Sequence, residues 1–427
     1  MNKARSLTAV AALALVPAGT LTACGSGSGA TNTSTDEGTV TMVTDTKADV
    51  TGLIAAFEKK YPKIKVKLSV PAAGAIMTQV RTQLTAGTAP DVIRVWPAGG
   101  NSLSIQELSK QHLLKDVSGS SWTKDLTAAN KSAMSVDGKV YGAPVTVTGI
   151  GALYNKQALA DLGVGEPQTF SDVLNLCAKA KAKGKSAFSV GAKESWTTQM
   201  YTYALTSSLV YGPDPNFGTE QAAGKTTFAD SGWKKGLEEF QEMIKKGCFQ
   251  SSPNGTSYDE SISRVAKGDS VAVVIATNAE AALKQKAPSG TQFGLFALPA
   301  TDNAADTYQV GGIGSAYAIN AKAKNPGLAQ KLLDFIASPQ GVSLVSTATG
   351  SGNALPADSS FHATDVLKPI LTAQKNGRLT TAPDQSWPDA TVQAAHLTAL
   401  QEMLGGELDA QGALKKLDDA YAKADKK

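Results

Sequence analysis

The chain has 427 residues, long enough for two domains, and carries 41 Lys and Arg against 37 Asp and Glu, a formal charge of +4. No block of Lys or Arg stands out, so the electrostatic footprint of a nucleic-acid binder is missing. His112, His362 and His396 are far apart and lack metal-ligand spacing, which argues against a zinc site.

The first elements are those of an exported chain. Lys3 and Arg5 precede an apolar stretch from Leu7 to Val16, broken by Pro17 and Gly19, and small residues lead to Cys24. This three-part layout is that of a secretory signal peptide over residues 1–23. The apolar run is too short to span a bilayer, which takes about 20 residues. Leu21-Thr22-Ala23-Cys24 resembles the bacterial lipoprotein box, which implies an acylated Cys24 as the new N-terminus. Cleavage near Ala23 without a lipid is the alternative. Residues 24–38 are rich in Gly, Ser and Thr, a composition that reads as a flexible spacer. Loss of Lys3 and Arg5 leaves the mature part at +2.

The body alternates strand and helix patterns. Val40–Thr44 reads as a strand, and Leu53, Ile54, Phe57 and Tyr61 recur at helical spacing before Pro62. Ile64, Val66, Leu68 and Val70 alternate with Lys63, Lys65, Lys67 and Ser69, the pattern of a half-buried strand near a sheet edge. A helix over residues 76–86 leads to the β-rich run Asp91–Val95, in which Asp91 reads as structural. Trp233, Leu237, Phe240 and Ile244 share a helix face that ends at Gly247, so Trp233 reads as core. Trp122 reads as surface packing. Ser270–Ala276 is a continuous apolar strand of the kind covered on both faces. Phe293–Leu298 and Ala316–Ile319 are further strands, Asn325-Pro326 opens a helix, and residues 392–423 read as two helices joined at Gly405-Gly406. Strands separated by helices predict an α/β architecture.

Cys177 and Cys248 remain after Cys24. Outside the cytoplasm such a pair reads as a disulfide, with two separate buried thiols as the alternative. Catalytic signatures are weak. Glu238, Glu239 and Glu242 read as a solvated helix face. Gly224-Lys225-Thr226 lacks the glycine that a phosphate loop needs five residues earlier, where Thr219 stands.

Several segments carry a family resemblance. They are Phe57-Glu58-Lys59-Lys60-Tyr61-Pro62, Thr85–Val92, Asp137-Gly138-Lys139-Val140-Tyr141-Gly142-Ala143-Pro144, Leu153-Tyr154-Asn155-Lys156, Tyr258–Asp269 with Val271–Ile275, and Asn320–Gly341. In this order the chain resembles a bacterial extracellular solute-binding protein of the carbohydrate ABC-importer family, in its lipoprotein form. The resemblance implies an α/β, two-lobe periplasmic-binding-protein-like fold with discontinuous domains and a ligand cleft between them. Lobe 1 is expected to hold residues 39–146 plus about 280–345, and lobe 2 residues 147–279 plus about 346–427. Gly142–Gly151 would be one crossover, with Gly149 and Gly151 available for hinge-like backbone angles, and a second should lie near 276–279. The resemblance further implies a monomer without cofactor or enzymatic activity, held at the outer membrane face by its lipid and serving the permease subunits of an importer.

A sugar site needs aromatic platforms for C–H faces and polar groups for hydroxyls. Trp96 follows the Asp91–Val95 strand, at the strand end where open α/β sheets bind ligands. Trp196 lies in a loop opening a helix, and Trp387 in an irregular segment before the C-terminal helices. Asp45 follows the first strand and Asn278 follows Ser270–Ala276, although Ala279 and Ala281 stand where the family often has an aromatic. Gly311-Gly312 is expected in a turn that brings backbone amides near the ligand. A non-sugar solute such as a peptide or polyamine, or glycoside hydrolysis by two loop carboxylates, are the competing readings.

Overall fold

The computed structural model of the chain describes residues 36–72 and 74–424. The expected signal peptide and Cys24 lie outside the described residues. Two mixed sheets organise the rest. The first runs in the order Ile64–Ser69, Gly38–Val43, Val92–Val95, Ala316–Ile319, Gly142–Pro144. Its first three strands are parallel, and Ala316–Ile319 lies antiparallel to both its neighbours. Helices Lys47–Lys60, Ile76–Ala86, Pro326–Ile336 and Pro339–Thr349 contribute Leu53, Phe57, Val80, Leu332 and Val345 to its core. Ile64–Ser69 is the edge strand, and its outward Lys65 and Lys67 block further pairing.

The second sheet is built around the long strand Thr146–Asn155. It pairs antiparallel with Ser270–Ala276, Gln309–Ile313, Phe293–Phe296 and Gly352–Asn353 along its length. Ser186–Phe188 and Leu379–Thr380 are added outside these. Ser270–Ala276 is buried on both faces, as its unbroken apolar run requires. Helices Phe170–Ala182, Gln199–Thr206, Trp233–Lys245, Ala390–Gly405 and Ala410–Ala424 close over one side with a core rich in aromatics.

The chain passes between the sheets at one expected place and one unexpected place. The first passage is at Val145, between the strands Gly142–Pro144 and Thr146–Asn155, as the sequence suggests. Residues 276–279 are not a second passage: a 3-10 turn at Thr277–Ala279 leads into helix Glu280–Lys286, and Phe293–Phe296 then returns to the second sheet. The second passage is Gly314-Ser315, between Gln309–Ile313 and Ala316–Ile319. Residues 280–313 therefore pair with the second sheet rather than the first. The apolar run Phe293–Phe296 fits either sheet, and its partner is set by register with Thr146–Asn155. Gly149 and Gly151 have ordinary negative backbone angles. They are small because Ile370 Cδ1 lies 2.2 Å, and the Phe296 carbonyl oxygen 2.9 Å, from where their Cβ atoms would be.

Cys177 and Cys248 form a disulfide inside the second core, with Cα atoms 4.7 Å apart. It closes a span of 71 residues, for which the loss of chain entropy in the unfolded state stabilises the fold by roughly 4 kcal/mol. Trp233 is core, as its helical spacing predicts. Trp122 is buried rather than on the surface, with its indole nitrogen donating to Asp334 at 3.0 Å. Glu239 departs from the expected solvated face. It is 1% exposed, paired with Lys235 at 3.3 Å, and burial pushes it up to about 8. Asp91 is structural: it accepts from Thr41 N at 2.8 Å and Lys324 N at 2.7 Å, tying the first strand to the start of helix Pro326–Ile336.

Replacing both Cys177 and Cys248 by Ala should lower the unfolding free energy by up to roughly 4 kcal/mol in urea titration. A change below about 1 kcal/mol would show that the bridge constrains little.

Candidate functional site

The C-terminal ends of Gly38–Val43 and Val92–Val95 point to the same edge of the first sheet, where parallel strands leave a crevice. Asp45 and Trp96 sit there, one just beyond each strand. Between them lies Arg94, a charged residue inside the otherwise apolar run Val92-Ile93-Arg94-Val95, and 5% exposed. Its guanidinium donates to the carbonyls of Val95, of Gly314 at 2.6 Å and of Ala316 at 3.4 Å. It lies 4.4 Å from the Trp96 ring centroid, and its Nε is 3.7 Å from Asp45 Oδ1. The half-buried indole is thus fixed flat against a cation, and the exposed Asp45 carboxylate is held at its side.

Helix Lys47–Lys60 begins immediately after Asp45 and carries Asp49 in its first turn. Burial, with the Asp45 carboxylate next, pushes Asp49 up to about 7 against a smaller opposing pull from Arg94.

The second sheet supplies the opposite wall. Trp196 stands in the 3-10 turn Ser195–Thr197, with its ring centroid 5.2 Å from that of Tyr258. The Tyr258 amide donates to Glu194 at 2.6 Å, joining the start of helix Tyr258–Lys267 to the Trp196 turn. The two walls are close. Burial raises the Tyr258 hydroxyl to about 12, with further upward pushes from Asp49, Asp259 and Asp45, so the first-sheet carboxylates act on it across the gap. Glu194 Cγ lies 3.6 Å from the Cβ position of Gly74.

A main-chain contact also joins the walls. Loop 97–101 after Trp96 meets the turn Pro383–Ser386 so closely that a Cβ on Gly100 would lie 1.7 Å from the Asp384 carbonyl oxygen. Gly100 also has φ +85°, so it is glycine for two reasons.

Trp387 is buried and does not serve as the expected platform. Its indole points into the second core, edge-on to Tyr203, Phe228 and His396, and only its main chain approaches the first sheet. Gly311 and Gly312 are not in a turn. They pair with Gly149 and Thr148 inside strand Gln309–Ile313, and the turn falls at Gly314-Ser315. Asn278 is exposed in the 3-10 turn after Ser270–Ala276, beside Thr277, whose hydroxyl accepts from Gly149 N at 3.3 Å. Asp45 and Trp96 therefore lie just beyond strand ends of the first sheet, and Trp196 and Asn278 in 3-10 turns attached to the second. Sequence reasoning gave no role to Arg94, Asp49, Glu194 or Tyr258. A charge inside an apolar strand was the one available signal, and it marked Arg94.

Among the described residues no group of His, Cys, Asp and Glu is arranged to hold a metal ion. His396 is buried, accepts or donates at 3.0 Å with Thr202, and burial lowers it to about 3, so it stays neutral.

The family described as "Bacterial extracellular solute-binding protein" matches residues 43–343. The chain belongs to this family. A relative named "Multiple sugar-binding protein" from Streptococcus mutans serotype c is 26% identical over 309 residues, 70% of each chain. A "Maltooligosaccharide ABC transporter solute-binding lipoprotein" of Streptococcus pneumoniae (strain ATCC BAA-255 / R6) is 25% identical over 349 residues, 79% of this chain and 74% of that one. The fold is that of a solved protein described as "SBP RafE in complex with raffinose", with a TM-score of 0.76 at 23% identity over 91% of this chain and 99% of that one. It is also that of a "Chitin oligosaccharide binding protein", with a TM-score of 0.78 at 20% identity over 91% and 99%. As an extracellular solute-binding protein the chain is a binder and not an enzyme, in line with the weak catalytic signatures.

Two stability predictions come from these environments. Asp49 is raised in the folded state, so between about pH 4 and pH 7 the folded protein keeps a proton that the unfolded chain has released. Stability therefore falls as pH rises through that window, and Glu239 and Asp384, raised to about 8 and about 7 by burial, act in the same direction. The melting temperature should be higher near pH 5 than near pH 8, and Asp49→Asn should narrow the gap by raising the value near pH 8. A gap that Asp49→Asn leaves unchanged would show that Asp49 titrates normally. Trp387→Ala should cost about 3–5 kcal/mol of stability in urea titration, as removal of a core aromatic does. Loss of ligand affinity with stability unchanged would return its indole to the site.

Proposed function

We propose that this solute-binding protein captures a sugar, a di- or oligosaccharide, outside the cell and delivers it to the permease subunits of an ABC importer. One observation carries the reading: two aromatic platforms, Trp96 on Arg94 and Trp196 against Tyr258, stand on opposite walls with Asp45 and Asp49 beside them. Aromatic faces suit the C–H faces of a pyranose, and carboxylates accept from its hydroxyls. The names of the relatives, several of them sugar-binding, support the same class. In this reading residues 36–145 with 316–349 form one lobe and 146–313 with 366–424 the other, and Gly352–Asn353 joins the second sheet as the chain passes between them. Hinge closure between them traps the ligand. Acylation of Cys24 tethers the protein to the outer face of the membrane, and mass spectrometry of the mature N-terminus tests it.

The same carboxylates favour one competitor. Asp45, Asp49 and Glu194 beside two aromatic rings would also suit a polyamine. A thermal-shift screen over mono- and oligosaccharides and polyamines separates the two, since a ligand at 100 times its Kd stabilises by about 2.7 kcal/mol. Trp96→Ala and Trp196→Ala should each weaken sugar binding by roughly 1–3 kcal/mol in titration calorimetry. Unchanged affinity in both would remove the stacking role.

A further inference from the structure

The end of the first sheet opposite the cleft carries a basic groove at the point where the described chain begins. Lys331 Nζ binds Asp36 Oδ1 at 2.6 Å, and Lys63 is close enough to lower the Asp36 carboxyl further. Lys60 Nζ stands 5.6 Å from the ring centroids of Tyr61 and Phe335, and Lys331 Nζ stands 5.1 Å from that of Tyr61. Lys60, Tyr61, Lys331 and Phe335 border a groove of about 850 Å³ that is also lined by Lys115, Gln330 and Asp334. Asp334 is already engaged by the Trp122 indole and the Gln330 amide, both at 3.0 Å. Among the described residues, Lys60 and Lys115 form no ion pair, and Lys115 donates to Gln330 at 3.2 Å. Among the residues that line the groove, Lys60, Lys115 and Lys331 outnumber the one carboxylate, Asp334, by two charges, of which Asp36 on Lys331 offsets one.

We propose that this face rests on the anionic headgroups of the membrane's outer surface, beside the tether. The inference rests on the acylation of Cys24 put forward above. Residues 24–35 separate that cysteine from Asp36, and twelve residues in any conformation reach at most about 40 Å. A lipid on Cys24 would therefore hold the groove close to the bilayer and give it a high effective concentration there. The attraction itself acts within a Debye length of the surface, about 8–10 Å at physiological salt. Strand Gly38–Val43 runs from this groove towards Asp45, so seating its start on the membrane turns the cleft away from the lipid.

The test uses the chain carrying Cys24→Ser, which cannot be acylated, in co-sedimentation with vesicles. Binding is expected to phosphatidylglycerol-rich vesicles and not to phosphatidylcholine vesicles. It should vanish at roughly 1 M salt, where the Debye length shrinks to about 3 Å. Lys60→Gln combined with Lys115→Gln should weaken it roughly fivefold per lysine at an unchanged melting temperature. Lys245→Gln, at an exposed position of helix Trp233–Lys245, should leave it intact. Equal binding to both vesicle types, or binding that ignores the double substitution, overturns the proposal. So does binding that needs a permease protein in the vesicle. Release by inorganic phosphate beyond that of chloride at equal ionic strength would assign the groove to a free anion, and overturns it as well. The anchor is read separately: a non-acylated N-terminus with intact phosphatidylglycerol binding refutes the tether and supports the face, and the reverse result refutes the face alone.

Discussion

A buried guanidinium sits where the two sheets meet. Arg94 leaves water inside the first sheet, a step that costs several kcal/mol unless the charge is fully engaged. Its partners are the carbonyls of Val95, Gly314 and Ala316, so its own strand end and both sides of the second passage are drawn to one point. Trp96 lies on its face and Asp45 at its edge. The Trp96 indole, the Asp45 carboxylate and the turn between the sheets are therefore positioned by one side chain. Removing it would leave three carbonyl groups short of a donor and the indole without its support.

Local elements were legible wherever periodicity was strong and the partner did not matter. Ile76–Ala86, Ser270–Ala276 and Ala316–Ile319 fall on the residues expected. The lysine alternation placed Ile64–Ser69 at an edge. What could not be read was the sheet to which a short apolar run belongs. Phe293–Phe296 and Gln309–Ile313 have no local feature that prefers one sheet, because pairing is decided by residues some 150 positions away in Thr146–Asn155. That is why the second passage was expected near 276–279 and occurs at Gly314-Ser315.

The site was legible in part. Asp45 and Trp96 do stand just beyond their strands, on either side of Arg94, and Asn278 stands in the turn after Ser270–Ala276. The same reasoning had no hold on Trp387, which lies in an irregular segment: an exposed-looking Trp-Pro sequence there turns its ring inward, into a cluster assembled from Tyr203, Phe228, Trp233 and His396. Asp49 and Tyr258 were missed because each sits in a helix first turn, where an acidic or aromatic residue has an ordinary local explanation. Their importance comes from the opposite wall, which no spacing rule shows. Glu239 was misread for the mirror reason, since a Glu-rich helix face gives no sign of which carboxylate is covered.

The strand order of the first sheet bears on the making of the protein. Ala316–Ile319 lies between Val92–Val95 and Gly142–Pro144, and among the described residues the latter pairs with no other strand. A chain crossing a membrane from its N-terminus would have to deliver about three quarters of its length before this central strand arrived. Until then Val92–Val95 would present an open edge, and Arg94 would lack two of its three carbonyl partners. During such a crossing the N-terminal part would have no finished first sheet to fold into, so the strand order would hold back completion of that sheet until most of the polypeptide was outside.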